Sequence, residues 1–294
     1  MSATNNRGRM TPSVLLGIVT HDRAGLLPKA IQSALAQRGC KVQVAVIDDA
    51  STDDTPRLPG AFPKVTWTRW ATNRGYMSAR NLWMSSEFHE YFVSLDDDAW
   101  FLDGDEIASA IEVLEHNPRI AALAFDILSP DRPDRVPRSS PRPTASFIGC
   151  GHVLRLSAIR SVGVYEPTPG TYGGEEKDLC LRLLDAGYDI FHMPGVHVWH
   201  DKTSIARALP SQHRSGVCND LVMSVRRTPA WLLPFVLVSK CYKHWRFSHR
   251  NDLSRPCLEG FALFGRSLLS VWRSRRPVSL GAIARYRRLT QTGQ

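Results

Sequence analysis

The stretch FVSLDDDAW at residues 92–100 decides the fold class, because a short apolar run ends abruptly in three aspartates. A continuous apolar run of this length is typical of an inner strand of a parallel sheet, covered on both faces. In an open α/β sheet the carboxyl ends of the strands form the ligand crevice. Three adjacent carboxylates repel one another there unless a cation neutralises them. The stretch therefore predicts Mg²⁺ or Mn²⁺ on Asp96 and Asp98, with a solvated acidic turn as the alternative.

The regions on either side repeat the same rhythm of strand and helix. The apolar runs at residues 14–20 and 42–47 are separated by helical spacing at 26–35, which is typical of a βαβ unit with a parallel pair of strands. Further strands are predicted at 65–70, 91–95 and 120–128, and further helices at 77–88 and 107–114. The pattern predicts an α/β fold with a mostly parallel central sheet and helices on both faces.

Residues 129–144 interrupt this rhythm with five prolines and four arginines. Such a composition predicts an exposed loop, which is either a passive connector or a mobile lid over a ligand. Beyond the loop, FIGCGHVLRL is strand-like, a helix is predicted from about residue 175 to 186, and the strand-like stretches DIFHM and VHVWH follow. The second half of the sheet is therefore expected from residues 145–200.

The net charge of +9 is not spread evenly along the 294 residues. Residues 1–200 hold 20 Lys and Arg against 24 Asp and Glu, whereas residues 201–294 hold 17 against 4. The basic character therefore belongs to a helical C-terminal tail, and not to the acidic region that carries the motifs. This division disfavours nucleic acid as the main partner.

The tail combines apolar helical faces with aromatic and basic borders, such as the run WLLPFVLV at residues 231–238 followed by Lys240, Lys243 and Arg246. This pattern favours binding to an anionic membrane surface. Packing of the same faces against the catalytic region is the alternative, and binding of nucleic acid is the least favoured. The chain has no apolar run of about 18 residues, which argues against a conventional transmembrane helix.

The ends of the chain and its cysteines suggest a cytoplasmic protein. Residues 1–12 are polar and lack the apolar core of a secretory signal. The six cysteines are scattered and form no C-x-x-C pair, so reduced thiols are expected rather than a disulfide framework or a zinc ribbon.

Two further segments offer groups that suit a nucleotide. Asp48 and Asp49 end the second predicted strand, where a carboxylate can accept hydrogen bonds from a nucleobase or a ribose hydroxyl; a capped turn is the alternative. Arg74 and Arg80 lie at and after the start of the next helix, where amides and arginines can meet a pyrophosphate. Neither G-x-G-x-x-G nor a P-loop motif occurs, which disfavours dinucleotide binding and P-loop chemistry.

The segment GGEEKD at residues 173–178 offers a candidate general base. Its paired glycines predict a tight or mobile turn, and the carboxylates then fall on the first turn of a helix, whose dipole favours their ionised form. An ordinary charged helix start is the alternative. Farther along, His200 ends a strand and could complete a carboxylate metal site. His197 should point to the opposite face of that strand and so should not share the metal.

Taken together, these motifs resemble the family 2 glycosyltransferases, which are inverting enzymes of the GT-A fold. The resemblance covers residues 13–200 and rests on VTHDR, VIDDASTDDT, TNRGYMSARN, FVSLDDDAW and YGGEEKDLCLRLLDAGY followed by VWH. It implies a GT-A catalytic domain at 13–200, with a nucleotide-sugar half at about 13–128 and an acceptor half at about 145–200. The basic tail at 201–294 lies outside the resemblance.

The resemblance implies roles for the residues on the donor side. Thr20 and Asp49, with Asp48 as a further candidate, match positions that contact the nucleoside, and Arg74 and Arg80 match the segment that approaches the diphosphate.

The resemblance also implies a metal site and a base. Asp96 and Asp98 match the ends of the D-x-D motif, with Asp98 favoured over Asp96 as the direct metal ligand and Asp97 between them on the donor, and His200 matches a histidine that joins the metal shell in some members. Glu176 occupies the position of the catalytic base. The family usually has Asp there, so Glu175 and Asp178 remain alternatives.

The implied reaction is a hexosyl or deoxyhexosyl transfer in a single displacement, dependent on Mn²⁺ or Mg²⁺. The donor is a nucleotide sugar, with UDP- or dTDP-sugars favoured, and the acceptor is a saccharide or a lipid-linked saccharide. The expected setting is bacterial surface polysaccharide or glycolipid assembly at the inner face of the plasma membrane. The rival interpretations are a Mg²⁺-dependent nucleotidyl- or phosphotransferase and a catalytically silent scaffold that binds lipid or nucleic acid.

Overall fold

A computed structural model describes residues 12–202 and 209–292 of the chain. Four parallel strands form the first half of the central sheet: β1 (Val14–Thr20), β2 (Val42–Asp48), β3 (Thr66–Arg69) and β4 (Tyr91–Asp96). They lie in the order β3-β2-β1-β4. Because all four run the same way, their carboxyl ends meet at one edge of the sheet, and the aspartates that follow β2 and β4 lie at that edge.

The second half of the sheet is mixed. It contains β5 (Ala99–Phe101), β6 (Ile120–Leu128), β7 (Arg142–Pro143), β8 (Gly151–Arg155) and β9 (Asp189–His200). Strand β8 lies antiparallel between β4 and β6, while β9 runs parallel to β6 and antiparallel to β5 and β7. The parallel core and the α/β class are thus confirmed, with a sheet order of β3-β2-β1-β4-β8-β6-β9-β5.

Helices cover both faces of the sheet and create two separate cores. On one face lie α1 (Leu27–Leu35) and α3 (Glu106–His116). On the other lie α2 (Tyr76–Met84), α4 (Leu156–Val162) and α5 (Glu175–Asp185). Alternate residues of β1 point to the two cores, so that Leu16 and Ile18 pack against the first and Leu15 against the second. This arrangement explains why the strand is apolar throughout.

The stretches DIFHM and VHVWH belong to one strand, β9, and not to two. Its pairing with β6 shifts register between Phe125 and Asp126. At this irregularity the Gly195 amide donates a hydrogen bond of 3.0 Å to the Asp126 carboxylate. A buried side chain thus replaces the missing backbone partner, which a sequence pattern of alternating residues does not reveal.

Residues 129–144 form an exposed segment, as predicted, apart from the two-residue strand β7. Ion pairs hold the segment against the start of α3: Arg135 donates to Asp103 over 2.9 Å, and Arg138 donates to Asp105 over 2.8 Å. The loop does not line the main cavity. These contacts favour the connector interpretation over the lid.

In its described residues, 201–202 and 209–292, the tail contains four helices: α6 (Leu209–Arg227), α7 (Leu233–Arg250), α8 (Ser254–Arg273) and α9 (Leu280–Thr292). Helices α6, α7 and α8 pack on one another through small apolar clusters. Helix α9 lies against α5, where Arg285 pairs with Asp189 and donates to the Tyr188 carbonyl over 2.9 Å. Part of the tail is therefore packed on the catalytic region.

In the part of the chain that the structure describes, none of the helices is long and apolar enough to cross a bilayer. Residues 1–11, which carry most of the segment interpreted as lacking a secretory signal, lie outside the described residues.

Candidate active site

A cavity of about 840 Å³ opens at the carboxyl ends of β1, β2 and β4 and is closed on its other side by α2 and α5. It brings together most of the residues that the sequence singled out. Those on its wall are Thr20, Asp49, Arg74, Arg80, Asp96, Asp97, Glu175, Glu176 and His200. Asp48, Asp98 and Asp178 do not line it.

The acidic triplet lies where β4 ends, and an arginine that the sequence analysis did not assign neutralises part of it. Arg23 Nη1 lies 2.6 Å from Asp97 Oδ1 and 3.3 Å from Asp98 Oδ2. Burial raises the pKa of Asp97 to about 6, although Arg23 acts in the opposite direction. Asp98 is fully buried, and its Oδ1 lies 3.3 Å from Nε2 of His200.

His200 reaches the triplet because of strand pairing. Strand β5, which begins directly after the triplet, is antiparallel to β9 and places Ala99 opposite His200. His197 points elsewhere, since its Nε2 accepts a hydrogen bond from the Val136 amide over 3.1 Å. The two histidines are therefore separated, as the alternation of a strand predicts.

A group of three potential metal ligands lies on this side of the cavity. One ligand atom each of Asp96, Cys150 and His200 lie within 4.8 Å of one another. Carboxylate and imidazole ligands suit Mn²⁺ and Mg²⁺, whereas a thiolate is a softer ligand that favours Zn²⁺ and its neighbours. Burial and the nearby Asp96 raise the pKa of Cys150 well above its usual value. The residues fit a divalent cation, with Cys150 as a member that the sequence analysis missed.

The base candidates lie at the start of α5. Gly174 precedes the helix with φ of 98°, a left-handed conformation that favours glycine, and the turn places Glu175 and Glu176 on the first helical turn. Glu175 is buried and accepts a hydrogen bond of 2.5 Å from the Tyr76 hydroxyl. Glu176 faces the cavity, with Arg80 Nη1 3.7 Å from its Oε1.

Both burial and the neighbouring Glu175 raise the pKa of Glu176 well above that of an ordinary glutamate, while Arg80 opposes the shift. A carboxyl group with a raised pKa in a cavity is a strong proton acceptor once ionised.

Asp178, the third candidate for the base, is used in ion pairs instead. Its carboxylate accepts hydrogen bonds of 2.9 Å from Arg182 and 2.6 Å from Arg227, and it is buried between α5 and α6. These contacts indicate a structural role.

The donor-side aspartates also have structural partners. Asp49 lines the cavity, and its two carboxylate oxygens accept hydrogen bonds from the amides of Arg74 and Gly75, over 2.7 and 2.8 Å. It thereby fixes the turn before α2. Asp48 lies behind the cavity wall, where its Oδ1 accepts a hydrogen bond of 2.8 Å from the Ser51 amide. Asp48 therefore caps a turn, as the alternative for this segment predicted, while Asp49 at the end of the strand lines the cavity.

The profile of Glycosyl transferase family 2 matches residues 16–159 of the chain, which hold the first three strand-end motifs and the D-x-D stretch. Residues 16–159 form a glycosyltransferase family 2 domain. A relative supports this assignment: the succinoglycan biosynthesis protein ExoO of Rhizobium meliloti (strain 1021) is 37% identical over 89 residues. That match covers 30% of this chain and 26% of ExoO, so the chain spans about a quarter of its relative.

Two solved structures show the GT-A fold over most of this glycosyltransferase. TarS 1–349 of S. aureus in complex with UDP-GlcNAc has a TM-score of 0.61 at 14% identity, and the match covers 96% of this chain and 91% of TarS. The mannosyltransferase PcManGT of Pyrobaculum calidifontis, solved with GDP-Man and Mn²⁺, has a TM-score of 0.57 at 17% identity. This match covers 96% of this chain and 84% of PcManGT.

Several residues of this glycosyltransferase site escaped the sequence analysis. Arg23 stands in the quoted motif VTHDR, yet nothing in the sequence around it indicates that its side chain contacts Asp97 and Asp98. Cys150 stands in a strand-like run, where a buried cysteine is the usual expectation. Tyr76 begins α2 and meets Glu175 from a distant part of the chain. Only the tertiary fold shows that these side chains converge.

Proposed function

We propose that this glycosyltransferase moves a sugar from a nucleoside diphosphate sugar to an acceptor hydroxyl with inversion at the anomeric carbon. One observation carries the proposal. Arg80 lies between the two chemical sides of the cavity: its Nη2 donates to Asp96 over 2.6 Å, and its Nη1 lies 3.7 Å from Glu176. The strand-end carboxylates and the base candidate therefore face one space, as a single displacement requires.

Glu176 is the general base in this proposal. Its ionised carboxylate accepts the proton of the acceptor hydroxyl as that oxygen attacks the anomeric carbon. The bond from that carbon to the diphosphate oxygen breaks on the opposite side of the sugar, and the electron pair leaves with the nucleoside diphosphate. Arg80 keeps a positive charge next to Glu176, because Asp96 raises the arginine's pKa against the effect of burial. The ion pair favours the ionised form of the base.

Asp96 and His200 are the residues that would hold Mn²⁺ or Mg²⁺, with Cys150 within reach, while Asp98 lies behind them with its Oδ1 3.3 Å from His200 Nε2. When bound, the cation supplies positive charge for the departing diphosphate. Support comes from the ligand atoms of Asp96, Cys150 and His200, which lie within 4.8 Å of one another, and from PcManGT, which has the same fold and was solved with Mn²⁺. Arg23 balances Asp97 and the far side of Asp98, so that the triplet does not carry three uncompensated charges.

The nucleotide would occupy the wall formed by Thr20, Asp49, Asp97 and the turn at Arg74. Asp49 holds this turn through the Arg74 amide, which leaves the arginine side chain to meet the diphosphate. The two solved neighbours do not identify the nucleobase of the sugar donor, because TarS was solved with UDP-GlcNAc and PcManGT with GDP-Man. We favour a UDP- or dTDP-sugar.

A screen of UDP-, dTDP- and GDP-sugars by thermal shift, with and without Mn²⁺, tests this function. We expect one nucleotide class to raise the melting temperature, and to do so only with the metal. Release of the nucleoside diphosphate from that donor then reports turnover. A metal-dependent nucleotidyltransferase would turn over equally well after Glu176→Gln and would release pyrophosphate. That result, or no shift with any nucleotide sugar, contradicts the proposal.

We further propose that the enzyme works at an anionic membrane surface, on a saccharide or lipid-linked acceptor. Trp231 and four residues of α7 form an apolar strip on the outside of the tail, hereafter the outer stripe: Trp231, Phe235, Val238, Tyr242 and Trp245. Their exposed fractions lie between 43% and 71%. Their spacing of three and four residues places them on one face of the helix. Exposed aromatic side chains in such a row mark an interaction surface.

Charge favours a bilayer as the partner of the outer stripe. Helix α7 contains no acidic residue, and Lys243, Arg246 and Arg250 lie exposed beside the stripe. The opposite face of α7 is held against the protein, where Lys240 and His244 pair with Asp220 of α6. A second copy of the same basic surface would repel this one, whereas acidic lipids attract it. The proposed setting is bacterial surface polysaccharide assembly, which the name of ExoO supports.

A further inference from the structure

The segment at residues 170–173 is organised by a side chain from the tail. Asn219 of α6 is buried, and its Oδ1 accepts a hydrogen bond of 2.9 Å from the Gly170 amide. Its Nδ2 lies 3.1 Å from the carbonyl oxygens of both Gly170 and Tyr172, and 2.9 Å from that of Gly173. One asparagine therefore serves four backbone groups of a segment that belongs to no helix or strand.

The fit between this segment and α6 is close. A Cβ atom on Gly170 would lie 2.6 Å from Asn219 Oδ1 and 2.8 Å from the Ser215 carbonyl oxygen, so the backbone approaches the helix at a position where only glycine fits. Gly173 and Gly174 follow with positive φ of 87° and 98°. Glycines gain no rigidity from their own side chains, so the conformation of this segment depends on the groups that bind it.

The same segment forms part of the cavity wall. Gly170, Tyr172 and Gly173 line the space that Glu176 faces, and α5 begins at Glu175 immediately after the turn. The Gly173 amide also donates to the Tyr76 hydroxyl over 3.3 Å, and that hydroxyl donates to Glu175. A displacement of the segment would therefore move both the acceptor side of the cavity and the first turn of α5.

A second contact joins α6 to α5 independently of Asn219. Arg227 donates to Asp178 over 2.6 Å and pairs with Glu166, while Asp178 also accepts from Arg182. All three of the closest partners, Arg227, Asp178 and Arg182, are buried. This network fixes where α6 lies relative to α5, and Asn219 then reaches the segment at 170–173 from a defined position.

We propose that Asn219 is a positioning residue for glycosyl transfer, which holds the segment at 170–173 so that the acceptor meets Glu176. The inference rests on the proposed function. It makes helix α6 part of the catalytic unit, although it lies in the basic tail and outside the residues that the family profile matches. Asn219 touches neither the donor-side aspartates nor the three potential metal ligands, so donor binding does not depend on it.

The test compares Asn219→Asp and Asn219→Ser with a control, Asn251→Asp. Aspartate has nearly the shape of asparagine but turns the amide donor toward three carbonyl oxygens into an acceptor, whereas serine keeps one donor on a shorter side chain. Asn251 is exposed directly after α7, and its side chain donates a hydrogen bond of 2.7 Å to the Phe247 carbonyl. The measurements are kcat for transfer, calorimetric affinity for the nucleoside diphosphate with Mn²⁺, and hydrogen exchange of the peptide that spans residues 168–175.

We expect Asn219→Asp to lower kcat by about 10²-fold, because small misplacements of reacting groups cost about this much. The nucleotide affinity of Asn219→Asp should stay at the wild-type value, and hydrogen exchange at 168–175 should rise. For Asn219→Ser, both kcat and the exchange rate should lie between those of the wild type and those of Asn219→Asp. If Asn219→Asp does not fold, the exchange and kcat of Asn219→Ser decide alone. Wild-type kcat in a folded variant, or equal losses of nucleotide affinity and kcat, would overturn the inference.

A failure of the proposed function has a different signature. In that case the wild-type protein itself releases no nucleoside diphosphate from any donor, while the exchange measurement still reports whether Asn219 holds the segment.

Discussion

Asp96 and Glu176, which come from opposite halves of the chain, are joined through the single guanidinium group of Arg80. Asp96 ends strand β4 and Glu176 lies on the first turn of α5, so this bridge spans the cavity in which donor and acceptor would meet. Arg80 is itself buried, which strengthens its interaction with both carboxylates. The bridge couples the charge of the metal side to the charge of the base.

Replacing the proposed base should remove transfer without removing donor binding. Glu176→Gln keeps the shape of the side chain but cannot accept the acceptor proton, so we expect kcat to fall by about 10²–10⁴-fold. Calorimetry with the nucleoside diphosphate and Mn²⁺ should show nearly unchanged affinity. Glu87→Gln, at an exposed position outside the cavity, is the matched control. A Glu176→Gln enzyme with wild-type kcat would assign the base elsewhere.

The raised pKa of Glu176 predicts how activity depends on pH. The base works only when ionised, so kcat should rise with pH across the neutral range, where an ordinary glutamate with a pKa of about 4.3 is already ionised. Glu175→Gln removes the like charge that contributes to the raised pKa and should shift the rise toward lower pH. A pH–rate profile of both proteins measures the shift. A profile that is flat above about pH 5.5 would contradict a perturbed base.

The same shift predicts a stability change. A carboxyl group whose pKa is raised in the folded state binds protons that the unfolded chain has released, so the free energy of unfolding falls as pH rises between the two pKa values. Glu176→Gln removes this loss. We expect the variant to melt at a higher temperature than the wild type at about pH 9, and at a similar temperature at about pH 4. Equal melting temperatures at both pH values would indicate a normal pKa.

If Cys150 is a ligand, its thiolate should change which divalent cations the site prefers. A thiolate among the ligands strengthens binding of soft cations, so Cd²⁺ and Zn²⁺ should compete with Mn²⁺ in the wild type more effectively than in Cys150→Ser. Co²⁺ should show a thiolate charge-transfer band in the wild type and lose it in the variant. Cys40→Ser, which changes a cysteine that does not line the cavity, serves as the control. Identical Co²⁺ spectra for the wild type and Cys150→Ser would exclude the thiol from the metal shell.

The outer stripe predicts binding to acidic vesicles. The full-length protein should float with vesicles that contain phosphatidylglycerol but not with phosphatidylcholine alone, and added salt should weaken the interaction. Phe235→Ser and Trp245→Ser should reduce flotation. Phe88→Ser, which changes an even more exposed phenylalanine on the catalytic region, should leave flotation unchanged. Flotation that survives both stripe substitutions would place the contact on another surface.

The sequence allowed the catalytic half of the fold to be predicted because its signals are local. Strands β1, β2 and β4 are apolar runs that end in polar residues, and Asp49 and Asp96 stand at such ends, as His200 does at the end of β9. The roles of Asp178 and Asn219 were not accessible in this way. Asp178 lies one helical turn from the base candidates and offers the same carboxylate, and only its contact with Arg227, 49 residues away, shows that it is structural.

The hydrogen bonds of Asn219 limit how this protein can exchange parts with its relatives. The net charge of the chain changes from negative to positive near residue 200, so this point would be an obvious choice of crossover for a chimeric protein. A crossover there would inherit Gly170 and Asp178 from one parent and Asn219 and Arg227 from the other. Residues 170–227 therefore have to come from the same parent protein. We expect a chimeric enzyme with a new acceptor preference to fold and act only when this whole segment is taken from one parent.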